Sequence, residues 1–408
     1  IGLADAAVRE RRFYDPLDTL HEDPTIGPDT AEEMARAAVM DSIEAHLASD
    51  VGYTVQLSGG VDSSLIAGVT EGLTDTPLRT FSLHLPGYEH DERRWRDMLV
   101  ERYPFEHHEL TVDGRNFADA LPRANAHMEG PSPHLGCVFL MLLCDRLAAA
   151  SKVVLTGEGA DEFFGGYLRY SHWRKTAWQE RLGRLLPTSL LPDRWPFAGM
   201  RRLAGVDAAA FGGVYHDIGA MRALFPEIVR APGAREAASG RFDGFIDRLF
   251  AVDQTAYLES LLVRQDKMAM AASVEARVPF VHLPLARVLN RIPRKILAPG
   301  RGETKAVLKK IAEAFVPRDV LYRRKVGLRL PTDKWLADDE ALGRYLPDLT
   351  GPRARLVEHT DRRLLASAVE DFRAGKPGSD QIVMQLVNLE TWLRHIPAAT
   401  TLGSVAAA

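Results

Sequence analysis

The hydrophobic pattern of the chain divides into two regimes. Over the first 170 residues, short apolar runs of β type alternate with longer stretches in which apolar residues recur at helical spacing. Residues 15–30 (DPLDTLHEDPTIGPDT) are rich in Pro, Asp and Thr and read as a linker. Thr30 followed by Glu33 forms a capping-box pattern, which predicts a helix running to about Leu47. Strands are predicted over Val51–Leu57, Leu78–Leu85, Glu106–Val112 and Lys152–Leu155. Helices are predicted over Ser63–Glu71, Glu92–Tyr103 and Gly136–Ala150. Strands separated by helices imply crossover connections, hence an α/β fold with a parallel twisted sheet and helices on both faces. From residue 171 the β signal fades. Residues 171–250 carry Trp, Arg and short Pro/Gly breaks without legible chemistry, and residues 251–395 are mostly helical in pattern. The predicted organisation is a linker or remnant of an upstream region (1–29), one domain (30–395) and a tail (396–408). The domain divides into an α/β core (30–170), a variable helical segment (171–250) and a helical part that completes the site (251–395).

Composition narrows the function. The 408 residues carry 51 Lys and Arg against 55 Asp and Glu, a formal net charge of −4, and 46% are hydrophobic. Such a balance gives no electrostatic reason to expect nucleic acid or an anionic membrane surface as partner. No apolar stretch is long and charge-free enough for a transmembrane helix, and residues 1–12 do not form a signal peptide. The two cysteines, Cys137 and Cys144, fall on one face of an apolar helical run. They read as reduced core residues of a cytoplasmic protein. His84, His90, His107 and His108 lack zinc-type spacing and read as surface or packing residues, and Tyr167, Tyr170 and Trp173 read as core and pocket wall.

Two glycine-rich segments carry the chemistry. The first, Ser58-Gly59-Gly60-Val61-Asp62-Ser63-Ser64, lies between a predicted strand and a predicted helix. Its glycines let backbone approach a phosphate, and the helix start points free amides at it. Ser58, Ser63 and Ser64 add hydroxyls, and Asp62 can hold a magnesium ion bridging phosphate oxygens. A Walker A pattern is absent. The second, Thr156-Gly157-Glu158-Gly159-Ala160-Asp161-Glu162-Phe163-Phe164-Gly165-Gly166-Tyr167, follows a buried strand. In a parallel sheet, loops at the strand carboxyl ends share one crevice. Asp161 can therefore lie near Asp62, and two carboxylates around a triphosphate make a magnesium site.

The first segment resembles the pyrophosphate loop of the N-type ATP pyrophosphatases, whose fold is adenine nucleotide alpha-hydrolase-like. The second resembles the signature of asparagine synthetases of the glutamine-hydrolysing type, and of the related β-lactam synthetases and lasso-peptide cyclases. Two further stretches extend the resemblance. Asp266–Phe280 (DKMAMAASVEARVPF) is similar to the family's helix-to-loop segment, departing after it at Val281 and His282. Arg323–Pro331 (RRKVGLRLP) is similar to Arg-x-Lys-x-Gly-Phe-x-x-Pro, with Leu328 in place of Phe.

The resemblance covers residues 30–395 and implies roles by position. Ser58, Gly59, Gly60, Asp62, Ser63 and Ser64 bind the pyrophosphate part of ATP, while Asp62 and Asp161 hold Mg2+. Leu57, Leu83, Thr156 and Gly157 meet adenosine, largely through backbone atoms. Glu158 serves formation of the acyl-adenylate and handling of the amine, and Lys325 steadies charge on phosphorus. Lys267, Glu275 and Arg277 are candidates for the substrate pocket; for Glu275 and Arg277 the alternative is an ion pair beneath the site. The implied reaction adenylates the side-chain carboxylate of aspartate, releases pyrophosphate and transfers ammonia to give asparagine. A different carboxylate (sugar acid, peptide or β-lactam precursor) is the alternative substrate, and a silent nucleotide-binding scaffold the non-enzymatic one. The family's glutaminase begins with a nucleophilic cysteine, which is not found here. The amine therefore comes as free ammonia, from a glutaminase domain or subunit, or from an intramolecular amine. A homodimer is compatible with the sequence.

Overall fold

The structure, a computed structural model, describes residues 11–89, 91–132, 134–185, 207–211, 223–225, 233–323 and 330–396. Its N-terminal half is built as α1 (Pro28–Ala45), β1 (Tyr53–Gln56), α2 (Val61–Glu71), β2 (Arg79–His84), α3 (Arg93–Arg102), β3 (Glu106–Thr111), α4 (Gly114–Met128), α5 (Gly136–Leu147), β4 (Val153–Leu155) and α6 (Ala160–Phe164). The sheet has five strands in the order β3-β2-β1-β4-β5, every neighbouring pair parallel. The fifth strand, β5 (Glu275–Arg277), comes from the C-terminal half and pairs Glu275 with Val153 and Arg277 with Leu155. Chain order reverses direction between β1 and β4. The loops leaving those two strands therefore face the crevice where ligands bind in open α/β sheets.

The remaining described residues are largely helical, including α7 (Leu258–Met270), α8 (Ala306–Ala312), α9 (Arg362–Arg373) and α10 (Ser379–Leu393). The predicted α/β class with a helical C-terminal part is what forms. Two large cores hold it together. One joins α1 and α2 to β1, α6 and α8 through Ala35, Val39, Val55, Leu65, Phe164 and Leu308. The other joins α4 and α5 to α9 and α10 through Phe117, Leu121, Phe139, Leu365 and Val387. At about 1.5–3 kcal/mol for each fully buried large apolar side chain, these two layers fix where the strand-end loops sit.

Three local expectations differ from what forms. The predicted capping box at Thr30 and Glu33 is not used: α1 begins at Pro28 with Gly27 as its N-cap and no side-chain cap bond. Proline at the first helical position already has a helical φ and lacks an amide needing a partner, so the helix starts three residues earlier, with its N-cap at Gly27 rather than Thr30. Residues 15–26, read as linker, are seated on the body. Asp15 caps a short 3-10 turn (Pro16–Thr19), Leu17, Leu20 and Ile26 are buried, and Asp23 N donates to Arg291 O at 2.7 Å. Helix α4 was not expected, although Asp113 and Asn116 form a complete capping box at its start.

Candidate active site

The first glycine-rich loop leaves β1 through Leu57, whose amide donates to Phe81 O at 2.8 Å and whose side chain is buried. The loop turns tightly because Gly59 adopts φ 83°. A side chain at that position would also meet the backbone of α3, 3.0 Å from Arg96 N. The serine hydroxyls close the turn from inside. Ser58 and Ser63 Oγ lie 2.9 Å apart, Ser58 N donates to Ser63 Oγ at 3.1 Å, and Gly60 N donates to Ser58 Oγ at 3.2 Å. Helix α2 then begins at Val61 rather than at the predicted Ser63, which places Asp62 and Ser63 in its first turn. Ser64 Oγ is buried without a hydrogen-bond partner among the described residues.

The second loop leaves β4 with Thr156 N donating to Arg277 O at 2.9 Å, so β5 steers its exit. Gly157 then passes directly over the first loop: a Cβ there would lie 2.9 Å from Asp62 Cβ and 3.1 Å from Ser63 N. The two loops are in contact, and glycine is what allows it. Asp161 falls in the first turn of α6.

Lys305, just ahead of α8, joins the two loops. Its Nζ lies 2.5 Å from Asp62 Oδ2 and 2.8 Å from Asp161 Oδ1, with its side chain only 3% exposed. Burial alone would lower its pKa, but the two carboxylates together raise it above the usual lysine value, so the amine is charged. Two acids nearly 100 residues apart in sequence therefore share one cation. Two carboxylates together with triphosphate oxygens are a donor set suited to Mg2+, which commonly uses one or two carboxylates plus substrate phosphates. That fit rests on the shared lysine rather than on a protein-only cage, since no group of three or more His, Cys, Asp and Glu is placed to hold a metal among the described residues.

A family model described as asparagine synthase matches residues 34–394, which includes both loops, Lys305 and the strand that steers them. The chain belongs to the asparagine synthase family. It is 28% identical over 74% of its length to asparagine synthetase [glutamine-hydrolyzing] 1 of Bacillus subtilis, covering 50% of that protein. It is 31% identical over 75% of its length to a putative asparagine synthetase [glutamine-hydrolyzing] of Mycobacterium bovis, covering 49% of it. To asparagine synthetase B [glutamine-hydrolyzing] of Escherichia coli it is 25% identical over 78% of its length, covering 48%. The chain thus spans about half the length of these curated relatives.

In this family member Glu158 is held by Arg264 of α7, Nη2 to Oε1 at 2.5 Å, and Arg264 Nε is buried without a partner among the described residues. Immediately after Asp161 and buried in the interior, Glu162 accepts a hydrogen bond from the Tyr167 hydroxyl. Burial, reinforced by the neighbouring charge of Asp161, pushes the Glu162 carboxyl up to about 8. Tyr170 donates to the buried Asp253 at 2.6 Å and Trp173 Nε1 to Ala298 O at 3.1 Å, so the three aromatic residues serve packing and carboxylate support.

The other candidates are placed as follows. Leu83 lies on β2, and its carbonyl accepts from Arg96 Nη1 at 2.8 Å. Lys267 donates to Met128 O at 3.0 Å and to Glu129 at 2.7 Å, tying α7 to the end of α4. Arg277 pairs with Glu275 at 2.7 Å and donates to His46 O and Ala48 O beyond the end of α1. For that pair the geometry is the ion-pair alternative. His84 pairs with Asp91 at 2.7 Å, and His107 is bracketed by Thr80 and Ser82 hydroxyls. Lys325 and His90 lie outside the described residues. Arg323 is described: it bonds Glu92 and donates to Gly59 O at 3.2 Å, fastening the start of the basic stretch to the first loop.

Lys305, Arg264 and Arg323 were not singled out from sequence. Lys305 follows a glycine-rich turn with an isolated lysine, a common surface pattern, and Arg264 sits in an ordinary helical repeat. Only Arg323 lay inside a recognised motif.

Proposed function

We propose that this chain is the synthetase part of an ATP-dependent, AMP-forming amide ligase that activates a carboxylate, with aspartate as the favoured substrate and ammonia as the amine. The observation that carries the reading is the shared contact of Asp62 and Asp161 with one cation at the carboxyl ends of β1 and β4. In this reading the loop of Ser58, Gly59, Gly60, Asp62, Ser63 and Ser64 receives the pyrophosphate portion of ATP. Free amides at the start of α2 supply donors. Leu57, Leu83, Thr156 and Gly157 line the adenosine through backbone atoms. Mg2+ held by Asp62 and Asp161 would neutralise phosphate charge. Lys325 steadies the charge that builds on phosphorus as one anion approaches another.

Glu158 stands beside this centre and accepts a proton from ammonium, so that neutral ammonia can attack the activated acyl group. Arg264 fixes its orientation, and the unpartnered Nε of the same side chain supports a carboxylic acid as the neighbouring substrate. The relatives are named as glutamine-hydrolysing, and the chain spans about half of them, which supports an amine delivered by a glutaminase domain or subunit. The division into residues 30–170, 171–250 and 251–395 follows from this reading, the last part contributing Arg264 and Lys305. Both buried cysteines are free, and no helix among the described residues is long and apolar enough to cross a membrane. These features support a cytoplasmic setting.

The test is ATP–pyrophosphate exchange measured with aspartate and a panel of other acids. Aspartate-dependent exchange that is lost in Lys325→Ala is the expected result. Exchange with another acid alone would move the substrate assignment to that acid. No exchange with any acid, alongside intact nucleotide binding, would favour the scaffold.

A further inference from the structure

Lys305 occupies a position that the reaction as described leaves without a task. Its ammonium stands between the two carboxylates assigned to the metal. Three features show that the place is built for it. The residue adopts φ 54° and ψ 39°, a left-handed conformation that is strained for a non-glycine residue. Gly166 clears its path, since a Cβ there would lie 2.1 Å from Lys305 Cε and 1.8 Å from Asp161 Oδ1. Its side chain is almost fully enclosed, at 3% exposure.

An ammonium at this distance and a magnesium ion, which takes oxygen ligands at about 2.0–2.1 Å, cannot share the space between the same two oxygens. We propose that Lys305 is an internal cation that holds the Asp62–Asp161 position in the nucleotide-free protein and yields it when metal and nucleotide enter together. Without a counter-cation the two carboxylates would repel and the loops would part. When the triphosphate arrives it brings new anionic partners for the ammonium, so the lysine can release the carboxylates to the divalent ion without losing its own pairing. Metal and nucleotide loading are thereby made mutually dependent, because metal alone would leave the buried ammonium without an anionic partner and nucleotide alone would leave the carboxylates to the lysine. By linkage, such coupling is reciprocal. The proposal rests on the ATP-binding reading of this site.

The experiment measures Mn2+ binding by loss of the free-ion electron paramagnetic resonance signal, in the presence and absence of a non-hydrolysable ATP analogue. Wild type, Lys305→Met, Lys305→Gln and Asp62→Asn are compared. Wild type should bind Mn2+ weakly alone and about tenfold or more tightly with the analogue, within the usual range of coupling between sites. Lys305→Met and Lys305→Gln should bind Mn2+ at least about tenfold more tightly than wild type without nucleotide, with less further gain from the analogue. Equal nucleotide-free affinity in wild type and both lysine variants overturns the proposal. So does tight nucleotide-free Mn2+ binding by wild type that Asp62→Asn abolishes, a result that needs no lysine variant to fold. Failure of wild type to bind the analogue at all would instead refute the ATP reading, and the two failures are distinguishable.

Discussion

Gly166→Ala perturbs the centre of this site by a single methyl group. The built Cβ would sit 1.8 Å from Asp161 Oδ1 and 2.1 Å from Lys305 Cε, where real Cβ contacts essentially never fall below 3.0 Å. Asp161 Oδ1 must therefore retreat by more than an ångström. Its bond to Lys305 Nζ is 2.8 Å, and a displacement of that size away from the lysine approaches or exceeds ion-pair range. No backbone strain enters, because Gly166 is not among the positive-φ glycines. Overpacking of this kind destabilises by about 1–3 kcal/mol, and separating a buried ion pair by removing one partner costs about 3–5 kcal/mol. Part of the second figure is relieved here, because Asp62 still holds the ammonium. A loss of about 2–3 kcal/mol is expected. A misplacement of about 1 Å in a positioned group also lowers rate by about 10²-fold. Chemical denaturation and ATP–pyrophosphate exchange measure the two effects. Gly130→Ala is the control, since a Cβ there meets nothing within 4 Å. If Gly166→Ala matches Gly130→Ala in both stability and exchange, the tight apposition of Asp161, Lys305 and Gly166 is wrong.

Other outcomes follow from the same geometry. Glu158→Gln, which keeps size but cannot take a proton, should lower amide formation by about 10²–10⁴, and by more than it lowers exchange; product chromatography separates the steps. Arg323→Ala frees Gly59 O and should raise the KM for ATP more than it lowers kcat. Glu162 is held protonated in the folded chain up to about 8, whereas its ordinary value is 4.5. Between those values the unfolded chain has released a proton that the folded chain keeps. Glu162 therefore lowers stability by up to about 1.4 kcal/mol for each pH unit as pH rises. Glu162→Gln should flatten the stability profile from pH 5 to 8, and an unchanged slope in urea titrations would remove Glu162 as its source.

Much of this arrangement was legible before the structure, and the reasons are physical. Both glycine-rich loops announce themselves because backbone passing this close to other backbone, as at Gly59 and Gly157, needs residues without side chains. Strands β1, β2, β3 and β4 form where the sequence predicts them, to within a residue or two at their ends. What escaped notice depends on tertiary contact. Glu275-Ala276-Arg277 has no strand propensity and becomes β5 only by pairing with Val153–Leu155. The start of α1 was misplaced because Thr30 and Glu33 match a cap pattern, while Gly27 and Pro28 set the real boundary. Residues 15–26 look like linker by composition, yet Leu17, Leu20 and Ile26 find a core formed by residues distant in sequence. Lys305 and Arg264 carry no local signature, since a lysine between acids and an arginine on a glutamate are visible only after the chain has folded back on itself.

The most direct measurement follows oxygen. With the side-chain carboxylate of aspartate, or of whichever acid supports exchange, labelled with ¹⁸O, mass spectrometry of the nucleotide product reports how the acid was activated. Transfer of one labelled oxygen into the phosphate of AMP is the predicted result, because the carboxylate oxygen that attacks phosphorus leaves with it. ADP with labelled inorganic phosphate, or AMP without label, would contradict the account.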